Sequence, residues 1–314
     1  MSVKTKGVIC GVIAAVSYGT NPLGALSLYE EGYHVNTVLF YRYGLAALIL
    51  LFMLLARKES LRISKGELKV VALLGLLFAS SSLTLFTSFH YMDAGIASTL
   101  LFVYPIMVAL LMAIFFKEKI SIITWLSISL ALTGITLLYD GGGNSSLSSI
   151  GVVLVLISSL TYAIYIIVVN KAKLNFSALK LTFYVLIFCI LTTVGYSMAG
   201  GGMPIQLLTS ASAWGYSFML AIVPTVISLI AMTLAVHAIG STPTAIMGAL
   251  EPLTAVIIGV TMFGESLSIN LIVGIILILG AVILIIVGKS INLHLLWLSI
   301  HKRNIKGNLK RGKR

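Results

Sequence analysis

Two ionisable side chains, Arg42 and Glu251, lie well inside long apolar runs of the chain. A charge at the centre of a bilayer costs about 2.5–3.5 kcal/mol even on insertion scales, so such residues are functional candidates by default. Arg42 lies about seven residues into its run and Glu251 about eight into its own, roughly 10 Å and 12 Å from opposite membrane faces at about 1.5 Å per residue. In a hydrocarbon core about 30 Å thick, that leaves a vertical gap of under roughly 10 Å between them, within reach of long side chains. An arginine fork can grip a carboxylate with two parallel hydrogen bonds, and a glutamate can hold an ammonium group or a proton. A structural Arg42–Glu251 ion pair, or Arg42 bound to the carbonyls of a broken helix, fits the sequence equally well.

Further polar and aromatic residues accompany this pair. Pro105 and Pro252 remove backbone donors inside apolar runs and predict kinks there, whose freed carbonyls can line a cavity. Asn21, just before Pro22, lies four residues after Ser17 and three after Tyr18, so a continuous helix would present them on one face. Tyr162 and Tyr165 repeat the three-residue spacing, and Tyr104 precedes Pro105 as Glu251 precedes Pro252. A polar cavity with aromatic walls, or a packing face between helices, would give the same pattern. His90, His237, Glu118 and Glu265 fall at the ends of runs and read as interfacial groups that terminate helices. No His, Cys or carboxylate cluster has metal-ligand spacing, and no cofactor is expected. The Gly141–Gly143 and Gly200–Gly202 runs lack the Lys-Ser/Thr that completes a phosphate loop, which argues against ATP as the energy source.

The elements that must position these residues follow from composition. The chain is 59% apolar and 10% charged, with mean hydropathy +1.09, whereas a soluble domain carries about 25% charged residues. Lipid is therefore its main solvent. A helix crossing the hydrocarbon needs about 20 mainly apolar residues, and such runs fall near 7–28, 35–56, 70–91, 96–116, 121–139, 150–169, 178–198, 214–236, 243–263 and 270–288. With the N-terminus in the cytoplasm, all of the 21 Lys and Arg except Arg42 fall in cytoplasmic segments or the tail. The positive-inside rule then puts both termini in the cytoplasm. The net charge of +12 accordingly reads as topology and not as nucleic-acid binding. Cys10 and Cys189 lie inside apolar runs, so no disulfide framework is expected.

The two halves of the chain also register on each other. At a shift of 147, His90 falls on His237, Pro105 on Pro252 and Glu118 on Glu265; near the start of each half, at a shift of 144, Tyr18 falls on Tyr162. Five spans per copy is an odd number, so the second copy is expected inverted, over 7–139 and 150–288, with a basic cytoplasmic tail at 289–314. The fold expected is an all-α membrane protein of ten transmembrane helices in two inverted five-helix repeats. Inverted repeats characterise alternating-access carriers, which hold substrate near the midplane where the repeats meet. A channel or an intramembrane enzyme is the alternative; the former needs rings of like charge or carbonyls, the latter clustered acids or a nucleophile–base pair.

Over residues 7 to about 288 the chain resembles the EamA-type branch of the drug/metabolite transporter superfamily. The resemblance rests on Ser17-Tyr18-Gly19-Thr20-Asn21, Phe40-Tyr41-Arg42-Tyr43, Ala97-Ser98 through Pro105 to Lys117-Glu118-Lys119, and Glu251-Pro252 through Gly264-Glu265. Tyr18 stands where the family often has Trp, and Tyr104 where Ser is usual. The resemblance implies export or exchange of amino acids and related metabolites across the plasma membrane. The expected partners are a small-molecule substrate and the bilayer. Past Lys289, Ile291 to Leu298 and the basic residues beyond read either as an amphipathic segment on anionic lipid or as a solvated, topology-setting tail.

Overall fold

The computed structural model describes residues 2–117, 122–140, 148–172, 174, 176–284 and 286–287. Glu118, the Gly141–Gly143 run and the tail from Lys289 lie outside the described residues. The described chain is helical, with no strand among its residues. Its helices are α1 (Val3–Tyr18), α2 (Asn21–Glu30), α3 (Val35–Ala56), α4 (Lys65–Ser88), α5 (Ala94–Leu101), α6 (Tyr104–Phe116) and α7 (Ile122–Asp140). Then come α8 (Ser149–Lys171), α9 (Ala178–Met198), α10 (Ala211–Ala221), a π-helical turn (Ile222–Ile227), α11 (Ser228–Ile239), α12 (Ser241–Met247) and α13 (Leu250–Phe263). The last is α14 (Ile269–Leu284).

Among the described residues, seven helical stretches are long and apolar enough to cross a membrane, three of them made of two helices in line: Val3–Glu30, Ala94–Phe116 and Ala211–Ile239. The apolar runs numbered fifth, ninth and tenth in the sequence appear as the shorter helices Ile122–Leu137, Leu250–Phe263 and Ile269–Leu284. Large apolar side chains such as Phe52, Phe115 and Ile276 point outward from the bundle, a surface suited to hydrocarbon and not to water.

Helix ends differ from the apolar runs where capping chemistry intervenes. The third run begins at residue 70, yet α4 begins at Lys65, because Ser64 and Glu67 form a capping box. The Glu67 amide donates to Ser64 Oγ at 3.3 Å, and the Ser64 amide donates to Glu67 Oε2 at 2.8 Å. The box satisfies two amides that a helix start leaves orphaned.

The ends of the bundle have distinct chemistry. At the end where α3 passes to α4 lie Arg57, Lys58, Arg62, Lys65 and Lys69, and Lys180 of α9 donates there to the Arg62 carbonyl at 2.7 Å. We call this the basic end. At the opposite, far end, Asn36 Nδ2 donates to the carbonyls of Gly201 (2.9 Å) and Met203 (2.8 Å), tying the first turn of α3 to the segment after α9.

Two helix pairs dominate the interior: α4 packs along α8, and α1 along α11. Each is stitched by a buried hydroxyl that water cannot serve. Ser81 Oγ donates to the Ser158 carbonyl at 3.0 Å, and Ser228 Oγ donates to the Ala14 carbonyl at 2.9 Å.

Candidate functional site

Four prolines break the helices that surround the centre of the bundle. Each lacks the N–H that would bond the carbonyl four residues earlier, and each orphaned carbonyl finds another donor. Pro22 frees the Tyr18 carbonyl, which accepts from Asn21 Nδ2 at 2.8 Å. Pro105 frees Leu101, whose carbonyl accepts from Ser159 Oγ of α8 at 3.2 Å. Pro224 frees Leu220, taken by Thr225 Oγ1 at 2.9 Å. Pro252 frees Gly248, whose carbonyl accepts the Glu251 amide at 2.9 Å. The kinks expected at Pro105 and Pro252 are therefore present as helix breaks, between α5 and α6 and between α12 and α13. The breaks at Gly19–Thr20 and over Ile222–Ile227 were not read from the sequence, although Pro22 and Pro224 signal both.

The breaks surround a cavity of about 390 Å³. Its wall holds Tyr18, Asn21, Arg42, Tyr104, Tyr162, Tyr165 and Glu251, seven of the eight residues singled out in the sequence. Ser17 is buried but outside the wall. A face shared by Ser17 and Asn21 requires continuous helix, and α1 ends at Tyr18. The Ser17 carbonyl instead accepts from Thr20 Oγ1 at 2.7 Å, closing the turn that separates α1 from α2.

The polar pole of the cavity centres on Arg42, which is 2% exposed. Its Nε donates to Thr225 Oγ1 at 3.2 Å, and Thr225 passes the chain on to the Leu220 carbonyl. The guanidinium carbon lies 5.4 Å from the Phe86 ring centroid and 5.9 Å from that of Tyr43, placing aromatic faces around the charge. Among the described residues no carboxylate forms an ion pair with Arg42. Thr225 takes the Nε donor and the Tyr18 side chain a further guanidinium N–H, and the rest of the five-donor fork stays available. Asn21 contributes the complementary group: its amide nitrogen is committed to Tyr18, and its buried Oδ1 has no partner. An acceptor left bare in a buried wall costs about 1–3 kcal/mol unless a ligand or water donates to it.

The aromatic pole lies on α4, α6 and α8. Tyr162 and Tyr165 stack at 5.8 Å with planes 9° apart, Tyr104 meets Tyr162 edge-on at 4.8 Å, and Phe78 lies 5.4 Å from Tyr165. Phe78, Phe86, Ser81, Ser82, Thr225 and Thr244 belong to the wall as well and were not found from sequence. Single hydroxyls and phenylalanines in apolar runs carry no signal; Thr225, next to a mid-run proline, carried one that went unused.

A sequence model described as the EamA-like transporter family matches residues 5–140 and again residues 149–287. The chain belongs to the EamA-like transporter family. It is accordingly a multi-pass membrane protein, with the bilayer as its surroundings. Among its relatives, an uncharacterized transporter of Synechocystis sp., sll1319, is 30% identical over 190 residues. That match spans 59% of this chain and 56% of the relative, little more than half its length. The uncharacterized transporter YcbK of Bacillus subtilis is 25% identical over 293 residues, 90% of this chain and 92% of its own. A solved crystal structure, 17% identical, covers 90% of this chain and 96% of its own with a TM-score of 0.61, so the fold is shared.

Proposed function

We propose that the protein is a secondary transporter, an exporter or exchanger, that carries an amino acid or related zwitterion or anion across the cytoplasmic membrane by alternating access. The observation that carries this reading is Arg42: a buried guanidinium with free donors, facing a cavity that has an unpartnered acceptor at Asn21. Arg42 would hold the substrate carboxylate, Asn21 Oδ1 and Glu251 its ammonium group, and the tyrosine–phenylalanine wall its apolar part. Relatives named as transporters support the class of activity.

Ten spans in two inverted repeats, with both termini in the cytoplasm, complete the reading. The family matches this chain twice, which favours duplication. So does a repeated bond. The donor Ser81 corresponds to Ser228 at a shift of 147, and the acceptor Ser158 to Ala14 at a shift of 144, so one hydrogen bond occurs in both halves with the copies' roles exchanged. Alternating access is favoured by the end of the bundle toward which the cavity lining extends. Thr182, Met232, Val236 and Thr244 line it toward the basic end. There α6 packs on α8 and α7, while α12 packs on α11 and α1; at the far end α5 packs on α13 and α10 on α3. This packing favours a carrier whose cavity is entered from its basic end.

The test is a comparison of metabolites in cells and medium with and without the protein, with Arg42→Ala as control. An amino acid or related compound whose partition changes, and does not change with Arg42→Ala, supports the assignment. A change confined to inorganic ions or to uncharged solutes contradicts it.

A further inference from the structure

Helix α5 opens without a cap of its own: Asp93 precedes it, but its side chain accepts no cap hydrogen bond. The first amides are served from the other half of the chain. Ala94 N–H donates to Glu265 Oε1 at 2.7 Å, and Gly95 N–H donates to Oε2 at 3.2 Å. Glu265 is aimed there by the end of α13, where Gly264 takes a left-handed φ of +68° and the Glu265 amide folds back on the Gly259 carbonyl at 3.0 Å. Around this contact α5 and α13 meet almost backbone to backbone. A Cβ on Gly95 would fall 2.9 Å from Val256 Cα, and one on Gly259 would fall 2.0 Å from Glu265 Oε2. Glycine is what admits the carboxylate to this crossing.

The crossing lies between the cavity and the far end, so a path to that side requires α5 and α13 to part and Glu265 to leave the two amides. Closing brings two half-buried carboxyl groups, Asp93 and Glu265, to one place. Among the described residues, the elements packed there offer no lysine or arginine at this end, and His90 of the α4–α5 link stacks on Tyr29 of α2 at 4.4 Å and forms no ion pair with either carboxylate. α5 has no ionisable side chain. The ionisable group of α13 is Glu251, in the cavity wall, and α2 carries Tyr29 and Glu30. Those of α8 are its cavity tyrosines and Lys171 at the basic end; those of α1 are Lys4, Lys6, Cys10 and Tyr18, and those of α4 are Lys65, Glu67 and Lys69. A like-charged pair without a cation favours taking up a proton.

We propose that Glu265 and Asp93 form a proton-binding gate at the far end, which closes on the α5 amides when the pair takes up a proton and opens when it loses it. The inference rests on the carrier reading, but its test follows gate opening without any substrate, so its failure would leave the flux measurements standing. The electrostatics agree. Burial first, and the neighbouring Asp93 second, push Glu265 up to about 7 against the lowering effect of the two amides, and burial raises Asp93 as well. On opening, Glu265 would return toward the ordinary carboxylate range. The closed form therefore binds the proton more tightly, and by linkage acid stabilises closure.

The experiment uses the full chain with Cys10→Ala and Cys189→Ala, and a reporter cysteine at Ser82 in the cavity wall. Its labelling by an impermeant methanethiosulfonate is measured from the far side between pH 5.5 and pH 8.5, a range chosen as about 1.5 units either side of the value at which the pair is expected to titrate. Rates are normalised to a cysteine at exposed Ser212, which divides out the pH dependence of thiolate formation common to both sites. Labelling should rise about tenfold with pH, centred near 7. Glu265→Gln, a neutral isostere of the protonated form, should label slowly at every pH. Asp93→Asn should move the midpoint down, and Glu265→Ala, which strips the amides of their partner, should label faster than Glu265→Gln throughout. A Glu265→Gln profile that rises like the parent, or a Glu265→Ala rate equal to that of Glu265→Gln, would overturn the proposal.

Discussion

Arg42→Lys separates charge from geometry at the polar pole. In the parent, Thr225 holds Nε at 3.2 Å and Tyr18 takes one further N–H, which leaves N–H groups on the terminal nitrogens for two parallel bonds to a carboxylate. Lysine keeps the positive charge, so the variant should insert normally, but its single nitrogen cannot reproduce the planar fork. The loss is one hydrogen bond to a charged group, about 1.5–3 kcal/mol. At about 1.4 kcal/mol per factor of ten, apparent affinity should fall roughly 10- to 100-fold with little change in maximal rate. Thr225→Val, which leaves the fork intact but unanchored, should lose about 1 kcal/mol, or roughly fivefold. The assay is initial rate against concentration in proteoliposomes, using the amino acid identified from cells. An Arg42→Lys KM within twofold of the parent would refute the bidentate role, as would a Thr225→Val loss larger than that of Arg42→Lys.

Glu251→Gln keeps the shape of the cavity wall and removes its carboxylate. Transport should persist but lose its response to an imposed pH gradient, and equal gradient responses in both proteins would reduce Glu251 to a polar lining residue. Gly75→Ala should lower the melting temperature of the purified protein. Its Cβ would fall 2.2 Å from Phe188 Cβ and 3.0 Å from the Val185 carbonyl where α4 crosses α9, and such overpacking costs about 1–3 kcal/mol. Gly44→Ala, with nothing within 4 Å of its Cβ, should instead gain about 0.5–1 kcal/mol from helix entropy. A Gly75→Ala protein that melts like the parent would contradict the close crossing. For topology, in a background without native cysteines, Ser212→Cys should react with an impermeant thiol reagent in intact cells and Ser60→Cys only after permeabilisation; the reverse pattern would invert the orientation.

Much of the site was legible because charges and prolines stand out in an apolar background. Arg42, Glu251, Pro105 and Pro252 are visible for that reason, and Tyr18, Tyr104, Tyr162 and Tyr165 follow from spacing. What escaped depended on continuity. Ser17 and Asn21 share a face only if the helix runs on, and Pro22 with the Thr20 turn ends it. Thr225 gains meaning only from the wider turn around Pro224, which turns its hydroxyl to Arg42. Glu265, read as a charge that ends a helix, does lie just past the end of α13, but its carboxylate serves amides 170 and 171 residues earlier. No local pattern encodes a contact at that range. The pairing of Ser81 with Ser158 and of Ser228 with Ala14 was hidden likewise, since an isolated serine in an apolar run looks the same whether it donates across helices or within its own.

The most direct test of carrier action is counterflow. Proteoliposomes are loaded with an unlabelled mixture of the twenty proteinogenic L-amino acids, diluted into buffer holding the same mixture at trace labelled level, and sampled over time. A cavity that binds at one face and releases at the other exchanges label for load, so label should transiently exceed its equilibrium level inside. Arg42→Ala vesicles should show no overshoot. Label that enters in proportion to its concentration, unaffected by the internal load, would mark an open pore and contradict alternating access.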